Sequence, residues 1–352
     1  MMSEYVVTKI FSENRKNYEQ VMELLKKEDI RMDKNLEYTC GIFDSEHNLI
    51  ATGSCFGNTL RCLAVSSQYQ GEGLMNLIVT HLVNYQFNRG IFHLFVYTKT
   101  GCESIFKTLG FYRIAKVADQ LVFLENKKNG FESYLHQLQA NTESVSSDSK
   151  ISAIVMNANP FSLGHQYLIE KASKESDLVH VFVVSEDTSV FPFSVRKQLI
   201  EKGTSHLNNI VIHPTGPYMI SNATFPSYFQ KDEESVIRSH ALLDVVLFEQ
   251  IALKLKIKFR YVGEEPFSMV TGIYNQIMKE EFSKIGLKLI EIKRKENNKQ
   301  IISASKIRQA IKNDDMDIVK TMVPETTLNY ILSNDAISVI QKLKMTPNVV
   351  HY

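Results

Sequence analysis

Two short runs, far apart in the chain, hold the residue types that bind phosphate. The first is Asn157-Ala158-Asn159-Pro160-Phe161-Ser162-Leu163-Gly164-His165. It follows an apolar stretch at 151–156 that reads as a strand, and it leads into a helical pattern at 164–174. Gly164 and His165 therefore open a helix, where unpaired N–H groups and the positive helix end suit an anion. Glycine lets a nucleotide approach the backbone, and an imidazole can donate to phosphate oxygens. Taken singly, a turn glycine beside a surface histidine is the better reading of the pair. The second run, Ile302-Ser303-Ala304-Ser305-Lys306-Ile307-Arg308, opens another helix. Ser303 and Ser305 at the helix start, with Lys306 and Arg308 in the next turn, make a second phosphate-binding end. A plain serine cap with solvated basic residues is the competing reading. A third run, Gln68-Tyr69-Gln70-Gly71-Glu72-Gly73, lies between an apolar stretch at 60–65 and an amphipathic helix. Its backbone N–H groups could cradle a pyrophosphate, although a GxG before a helix is a weak signal alone.

The elements that must position these runs fall into two parts. At 352 residues the chain suits about two domains of roughly 150 residues each. The polar, Ser-rich segment 141–150 divides a first domain at 1–140 from a second at 151–352. The first part reads as a helix at 18–27, short β-rich stretches at 38–43, 49–56 and 60–65, then a helix at 73–87. A strand at 91–97, a helix at 102–109 and a strand at 121–124 follow, an α+β pattern. The second part alternates strand and helix: strands at 151–156, 179–185, 210–213, 259–262 and 288–292, with helices at 164–174, 194–206, 234–255 and 274–282. Such alternation predicts an α/β fold with a doubly wound parallel sheet and ligands at the carboxyl ends of its strands. Gly263, Glu264 and Glu265 follow one of those strands, where the chain reaches the ligand crevice; a role near a ribose or adenine fits the glutamates there, and a plain solvated pair is the competing reading. Helices at 326–343 complete the chain.

Composition narrows the class further. Lys and Arg number 40 against 39 Asp and Glu, so no global basic field points to nucleic acid or to an anionic membrane. Apolar runs are far shorter than the roughly 18 residues that a spanning helix needs, and residues 1–10 lack the pattern of a signal peptide. Cys40, Cys55, Cys62 and Cys102 show no CxxC spacing and read as reduced thiols of a cytoplasmic protein.

Together the first two runs resemble the paired H/TxGH and ISxTxxR signatures of the HIGH-type nucleotidylyltransferase superfamily, with Ser162 and Ser305 standing where His or Thr and Thr are usual. In that superfamily the two helix starts face each other across the triphosphate of ATP. This implies His165, Lys306 and Arg308 as catalytic donors, and Asn159, Pro160, Phe161, Ser162, Gly164, Ser303 and Ser305 around the nucleotide. Both serines keep a small hydroxyl, so phosphate contact is expected of them. Further runs, Phe191-Pro192-Phe193 with Arg196, Thr215-Gly216-Pro217-Tyr218, Phe225-Pro226-Ser227-Tyr228-Phe229 and Val262-Gly263-Glu264-Glu265-Pro266, resemble the citrate lyase ligase family. By themselves these aromatics read equally as core, and Arg196 suits a phosphate or a structural carboxylate. The Gln68–Gly73 run, with Gly110-Phe111 after the helix at 102–109, is similar to the GNAT acetyltransferase superfamily, in which Gln68, Gly71 and Gly73 would hold the pyrophosphate of a CoA-like group.

The resemblance implies a two-step reaction. Acetate attacks the α-phosphate of ATP to give acetyladenylate and pyrophosphate, and the thiol of a phosphoribosyl-dephospho-CoA group on the citrate lyase acyl-carrier subunit then takes the acetyl group. Mg²⁺ is expected to arrive with the nucleotide, with Asp187 as a weak helper and no permanent metal site. Three other readings share parts of the pattern: a nucleotidylyltransferase acting on a phosphomonoester, an acetyl-CoA-dependent acetyltransferase, and a nucleotide-sensing module without turnover.

Overall fold

The computed structural model describes residues 5–142, 146, 148–186, 189–219, 225, 233–264, 269–297 and 300–345. The chain divides into two compact units, Met1–Phe131 with Asn222–Val246 and Glu132–Ser221 with Leu247–Tyr352. This differs from a simple cut at 141–150 in two respects, each with a local cause. The helix Gly130–Ala140 falls almost wholly in the second unit, because Tyr134 packs on Tyr218 at 5.0 Å and its hydroxyl donates to the Pro214 carbonyl at 3.1 Å. The segment at 222–246 belongs to the first unit. There Phe225 stacks on His240 at 4.4 Å and meets Tyr97 edge-on at 5.8 Å, while the Ser239 hydroxyl donates to Gln120 at 2.8 Å.

The first unit is built on a seven-stranded sheet. Its elements are β1 (Thr8–Ile10), α1 (Arg15–Lys27), β2 (Tyr38–Phe43), β3 (Leu49–Phe56), β4 (Thr59–Val65), α2 (Leu74–Asn88), β5 (Phe95–Thr98), α3 (Glu103–Thr108), β6 (Tyr112–Val117) and β7 (Leu121–Glu125). The order is β1-β2-β3-β4-β5-β7-β6, antiparallel except for β4 and β5. Helix α2 buries Leu74, Ile78, Val79 and Leu82, the spacing of one helix face. The strand expected at 91–97 is shorter, since the Ile91 N–H closes the end of α2 on the Gln86 carbonyl at 3.0 Å. β4 bends at Cys62, whose φ of 50° accompanies a register shift against β3, and it pairs with β5 only at Thr59 and Leu60. All four cysteines are free, and burial pushes the thiols of Cys40, Cys55 and Cys62 up to about 12.

The second unit follows the α/β expectation closely. After α4 (Gly130–Ala140) come β8 (Ile151–Met156), α5 (Leu163–Lys174), β9 (Leu178–Val183), α6 (Phe193–Gly203), β10 (Ile210–Pro214), the end of α7 (Glu233–Leu255), which belongs to this unit only from Leu247 on, then β11 (Phe259–Gly263), α8 (Met269–Lys284) and β12 (Lys288–Ile292). Strand order is β10-β9-β8-β11-β12, every pair parallel. The chain moves outward from β8 in one direction and then crosses to β11 and moves outward in the other. The loop after β8 therefore leaves the sheet at the point where strand order reverses, the usual place for a ligand crevice. A short hairpin of β13 (Glu296–Asn297) and β14 (Gln300–Ile301) precedes α9 (Ala304–Lys312), which packs with α10 (Met316–Met322), α11 (Glu325–Ile331) and α12 (Ile337–Met345) around Ile307, Ile311, Val319, Met322 and Leu343. Among the described residues no helix is long and apolar enough to cross a membrane.

One polar pair is sealed inside this sheet. His180 on β9 and His213 on β10 are 0% and 1% exposed, with Nδ1 of the first 2.9 Å from Nε2 of the second. Burial holds both imidazoles well below the ordinary 6.5, and His213 lowers His180 further. Both are neutral when folded and take up a proton on unfolding in acid, so stability is lost as pH falls below about 6.5. The slope is about 1.4 kcal/mol per pH unit for each histidine. Replacing both together (His180→Leu, His213→Leu) should reduce the loss of urea midpoint between pH 6.5 and 5. A pH dependence equal to that of the native chain would show that the acid-sensitive groups lie elsewhere.

Candidate functional site

The loop that follows β8 ends in a capping box that fixes His165 chemically. Ser162, extended at φ −122° and ψ 165°, accepts the His165 N–H on its Oγ at 3.3 Å. In return the Ser162 backbone N–H donates to His165 Nδ1 at 3.1 Å, with the Ser162 hydroxyl 2.9 Å from the same nitrogen. An amide N–H can only donate, so Nδ1 is the unprotonated nitrogen and the ring proton sits on Nε2. Nε2 has no hydrogen-bond partner among the described residues. Burial, and secondarily the charge of Arg294, lower the His165 pKa to about 4. His165 is thus a neutral N–H donor at physiological pH, standing at the positive end of α5. The Ser162 hydroxyl, expected from the sequence to meet phosphate, is 2% exposed and engaged with His165 instead.

Arg196, on the first turn of α6, organises the loops around that donor. It is 0% exposed, and its Nε donates to the Phe191 carbonyl at 2.9 Å. Nη1 donates to the carbonyls of Asn157 at 2.8 Å and Val184 at 2.7 Å, and Nη2 to that of Glu186 at 2.9 Å. Arg196, for which the sequence allowed a phosphate or a structural carboxylate, thus binds four backbone carbonyls. Asn159 continues the network: its Oδ1 accepts the Phe191 N–H at 3.0 Å, and its carbonyl accepts from Arg308 Nη1 at 2.5 Å. Pro160 and Phe161 are buried, and Phe161, at 0% exposed, is a core side chain beneath the loop.

The contact between Asn159 and Arg308 spans 149 positions and joins the two runs singled out in the sequence. A Cβ added at Gly164 would lie 3.7 Å from Ile302 Cγ2, 3.8 Å from the Ile302 carbonyl and 3.5 Å from Ser162 Oγ. The starts of α5 and α9 are therefore neighbours. Ser303 caps α9, its Oγ accepting the Lys306 N–H at 3.2 Å, so this serine also shapes a helix start. Lys306 is exposed and Ser305 half-buried on the same first turn. Burial lowers the pKa of the Arg308 guanidinium from its ordinary value, as expected of a desolvated cation.

Across the crest, Gly263 ends β11 with open space where a Cβ would stand, and the exposed Glu264 follows it. The Glu264 N–H donates to the Ile292 carbonyl at 2.9 Å, and Arg294 Nε donates to the Glu264 carbonyl at 2.8 Å. Arg294 and Lys295 were missed in the sequence, although a Lys-Arg-Lys run just past a strand end was the available signal. Asp187, Tyr228, Phe229 and Glu265 lie outside the described residues. Phe225, in the first unit, is a core aromatic at 5% exposed. Among the described residues no three His, Cys, Asp or Glu side chains converge as metal ligands.

In the first unit, Gly71 at φ 90° and Gly73 at φ 78° are left-handed, with open space at both Cβ positions. Gly73 is the N-cap residue of the 15-residue α2 and supplies no side-chain cap, and Gln68 is exposed. Left-handed backbone of this kind strains any other residue.

Gly164 supplies a test of whether its missing side chain serves a ligand. Its protein neighbours are all at ordinary van der Waals distance and its φ is not left-handed, so the fold tolerates alanine. Gly164→Ala should leave the melting temperature unchanged or raise it, since helical Gly→Ala gains about 0.5–1 kcal/mol, while ATP affinity falls at least tenfold. Unaltered ATP affinity would show that no ligand approaches there.

Comparison with known proteins agrees with this geometry. A family model described as the citrate lyase ligase C-terminal domain matches residues 151–331. The citrate (pro-3S)-lyase ligase of Escherichia coli (strain K12) is 35% identical over 337 residues, covering 94% of this chain and 95% of that protein. Those of Klebsiella pneumoniae and Haemophilus influenzae are 35% and 34% identical, covering 89% and 91% of this chain and 92% and 96% of theirs. The chain belongs to the citrate lyase ligase family.

Proposed function

We propose that this ligase activates citrate lyase by ATP-dependent acetylation of the prosthetic thiol on the acyl-carrier subunit, through an acetyladenylate. The observation that carries the reading is the meeting of two helix starts at the strand-order switch, with His165 Nε2–H and Arg308 beside them. In the first step an acetate oxygen bonds to the α-phosphorus, the bond from that phosphorus to the bridging oxygen breaks, and pyrophosphate leaves. Acetate is already ionised at neutral pH, so no general base is required. The barrier lies in bringing one anion to another and in stabilising charge on the leaving group. A neutral His165 donates a hydrogen bond without surrendering its proton, and Arg308 and Lys306 supply positive charge. Mg²⁺ bound to the phosphates would neutralise further charge. In the second step the thiol sulfur attacks the acyl carbon, AMP leaves, and the thiol proton passes to solvent.

Gln68, Gly71 and Gly73 would hold the pyrophosphate of the CoA-like prosthetic group at the start of α2. Support for that role comes from the left-handed glycines and the helix start without a side-chain cap. Gly263 and Glu264 would border the nucleoside, and Ser303 and Ser305 its phosphates. We place the reaction in the cytoplasm.

His165→Ala should keep the fold and lower acetate-dependent AMP release about 10²–10³-fold, the usual cost of removing one fixed donor. Replacing Gly71 and Gly73 with valine should leave acetyladenylate formation intact and abolish acetyl transfer to the carrier thiol. Native turnover in the first variant, or native thiol acylation in the second, would contradict the assigned roles.

A further inference from the structure

Asn275 is a polar residue in an apolar row. It lies on α8, where Asn275, Met278 and Phe282 follow the spacing of one helix face and are 7%, 3% and 0% exposed. Phe282 packs on Phe248 at 5.6 Å, so this row is the side of α8 turned to the core. Periodicity assigns such a position to leucine or methionine, and a buried amide there is costly unless its hydrogen-bonding capacity is used. Asn275 uses little of that capacity. Its Nδ2 donates to the Gly263 carbonyl at 3.4 Å, a long bond. Among the described residues neither the second Nδ2 hydrogen nor Oδ1 has a partner. A carbonyl can only accept, so the bond to Gly263 fixes which end of the amide faces that strand.

The carbonyl it touches belongs to the end of β11. Gly263 is exposed, and nothing lies within 4 Å of the point where its Cβ would stand. In the sheet β11 is the neighbour of β8, across the strand-order switch. A buried amide with a spare donor and a spare acceptor therefore borders open space at the carboxyl end of the sheet, one strand from the loop that leads to His165. That pair complements the edge of adenine, where an exocyclic amino group stands beside an unprotonated ring nitrogen. An asparagine amide recognises adenine by the same bidentate pairing in nucleic-acid grooves.

We propose that Asn275 reads the adenine of bound ATP, with Oδ1 accepting from the exocyclic amino group and the second Nδ2 hydrogen donating to the adjacent ring nitrogen. The proposal rests on the ATP-dependent reading of this site. A 6-oxopurine turns an oxygen toward Oδ1, and the Gly263 bond opposes the amide flip that would accommodate it.

The test measures calorimetric affinities for ATP, for ITP, which carries an oxygen in place of the amino group, and for inorganic triphosphate. The native chain is compared with Asn275→Leu and Asn275→Ala. The native chain should bind ATP about tenfold or more tightly than ITP, the usual discrimination of a bidentate amide contact. In Asn275→Leu, whose side chain suits the apolar row, the melting temperature should hold or rise. Its ATP affinity should fall to that for ITP, while triphosphate affinity stays native. Asn275→Ala should lose the same preference, so the outcome does not depend on how leucine packs. Equal native affinities for ATP and ITP, or an undiminished preference in either variant, would overturn the proposal. So would a matching loss for ATP, ITP and triphosphate, which would make Asn275 only a brace for the end of β11. Failure of the native chain to bind ATP at all would instead overturn the ATP-dependent reading on which the proposal stands.

Discussion

Arg196 carries a full charge into the interior of the α/β unit, and the geometry of the crest depends on how that charge is satisfied. Its guanidinium gathers the carbonyls of Asn157, Val184, Glu186 and Phe191, from the segments that leave β8 and β9 and the approach to α6. Hydrogen bonds from a charged group are worth roughly 1.5–3 kcal/mol each, and a carbonyl left buried without one is costly. The loops are therefore held together as a group. Through Phe191 and Asn159 the network reaches Arg308, so the position of a cation on α9 depends on an arginine more than a hundred residues earlier.

Within that frame, the Ser162 capping box acts on chemistry as well as on helix stability. An ordinary cap satisfies one N–H at a helix start. Here the residue at N3 is histidine, and its Nδ1 replaces the usual glutamate oxygen as acceptor of the N-cap N–H. The same bond that starts α5 also selects the ring tautomer and directs a donor hydrogen away from the backbone. What this geometry asks of position 162 is a short hydroxyl within reach of His165, and serine supplies it.

Much of this was legible in the sequence because it is local. The all-parallel sheet follows from apolar strands alternating with amphipathic helices, and the start of α9 follows from Ser303 ahead of periodic apolar residues. What was not legible depends on partners distant in the chain. The partners of Arg196 come from the two loops after β8 and β9, which only the strand order brings together. Phe225 finds its place through His240 and Tyr97, which no local pattern announces. Ser162 was read as a phosphate ligand because its residue type permits it; only the distance to His165 Nδ1 shows where the hydroxyl is engaged. Arg294 lay in plain view beyond β12, but its bond to the Glu264 carbonyl depends on the pairing of β11 with β12.

The central claim is that the α/β unit adenylates acetate at the paired helix starts. The most direct measurement is exchange of labelled pyrophosphate into ATP with Mg²⁺, in the presence and absence of acetate and without the carrier subunit. The account predicts exchange that requires acetate and needs no carrier, because acetyladenylate forms before the thiol is engaged. Absence of exchange with acetate, whether or not the carrier is added, would contradict it.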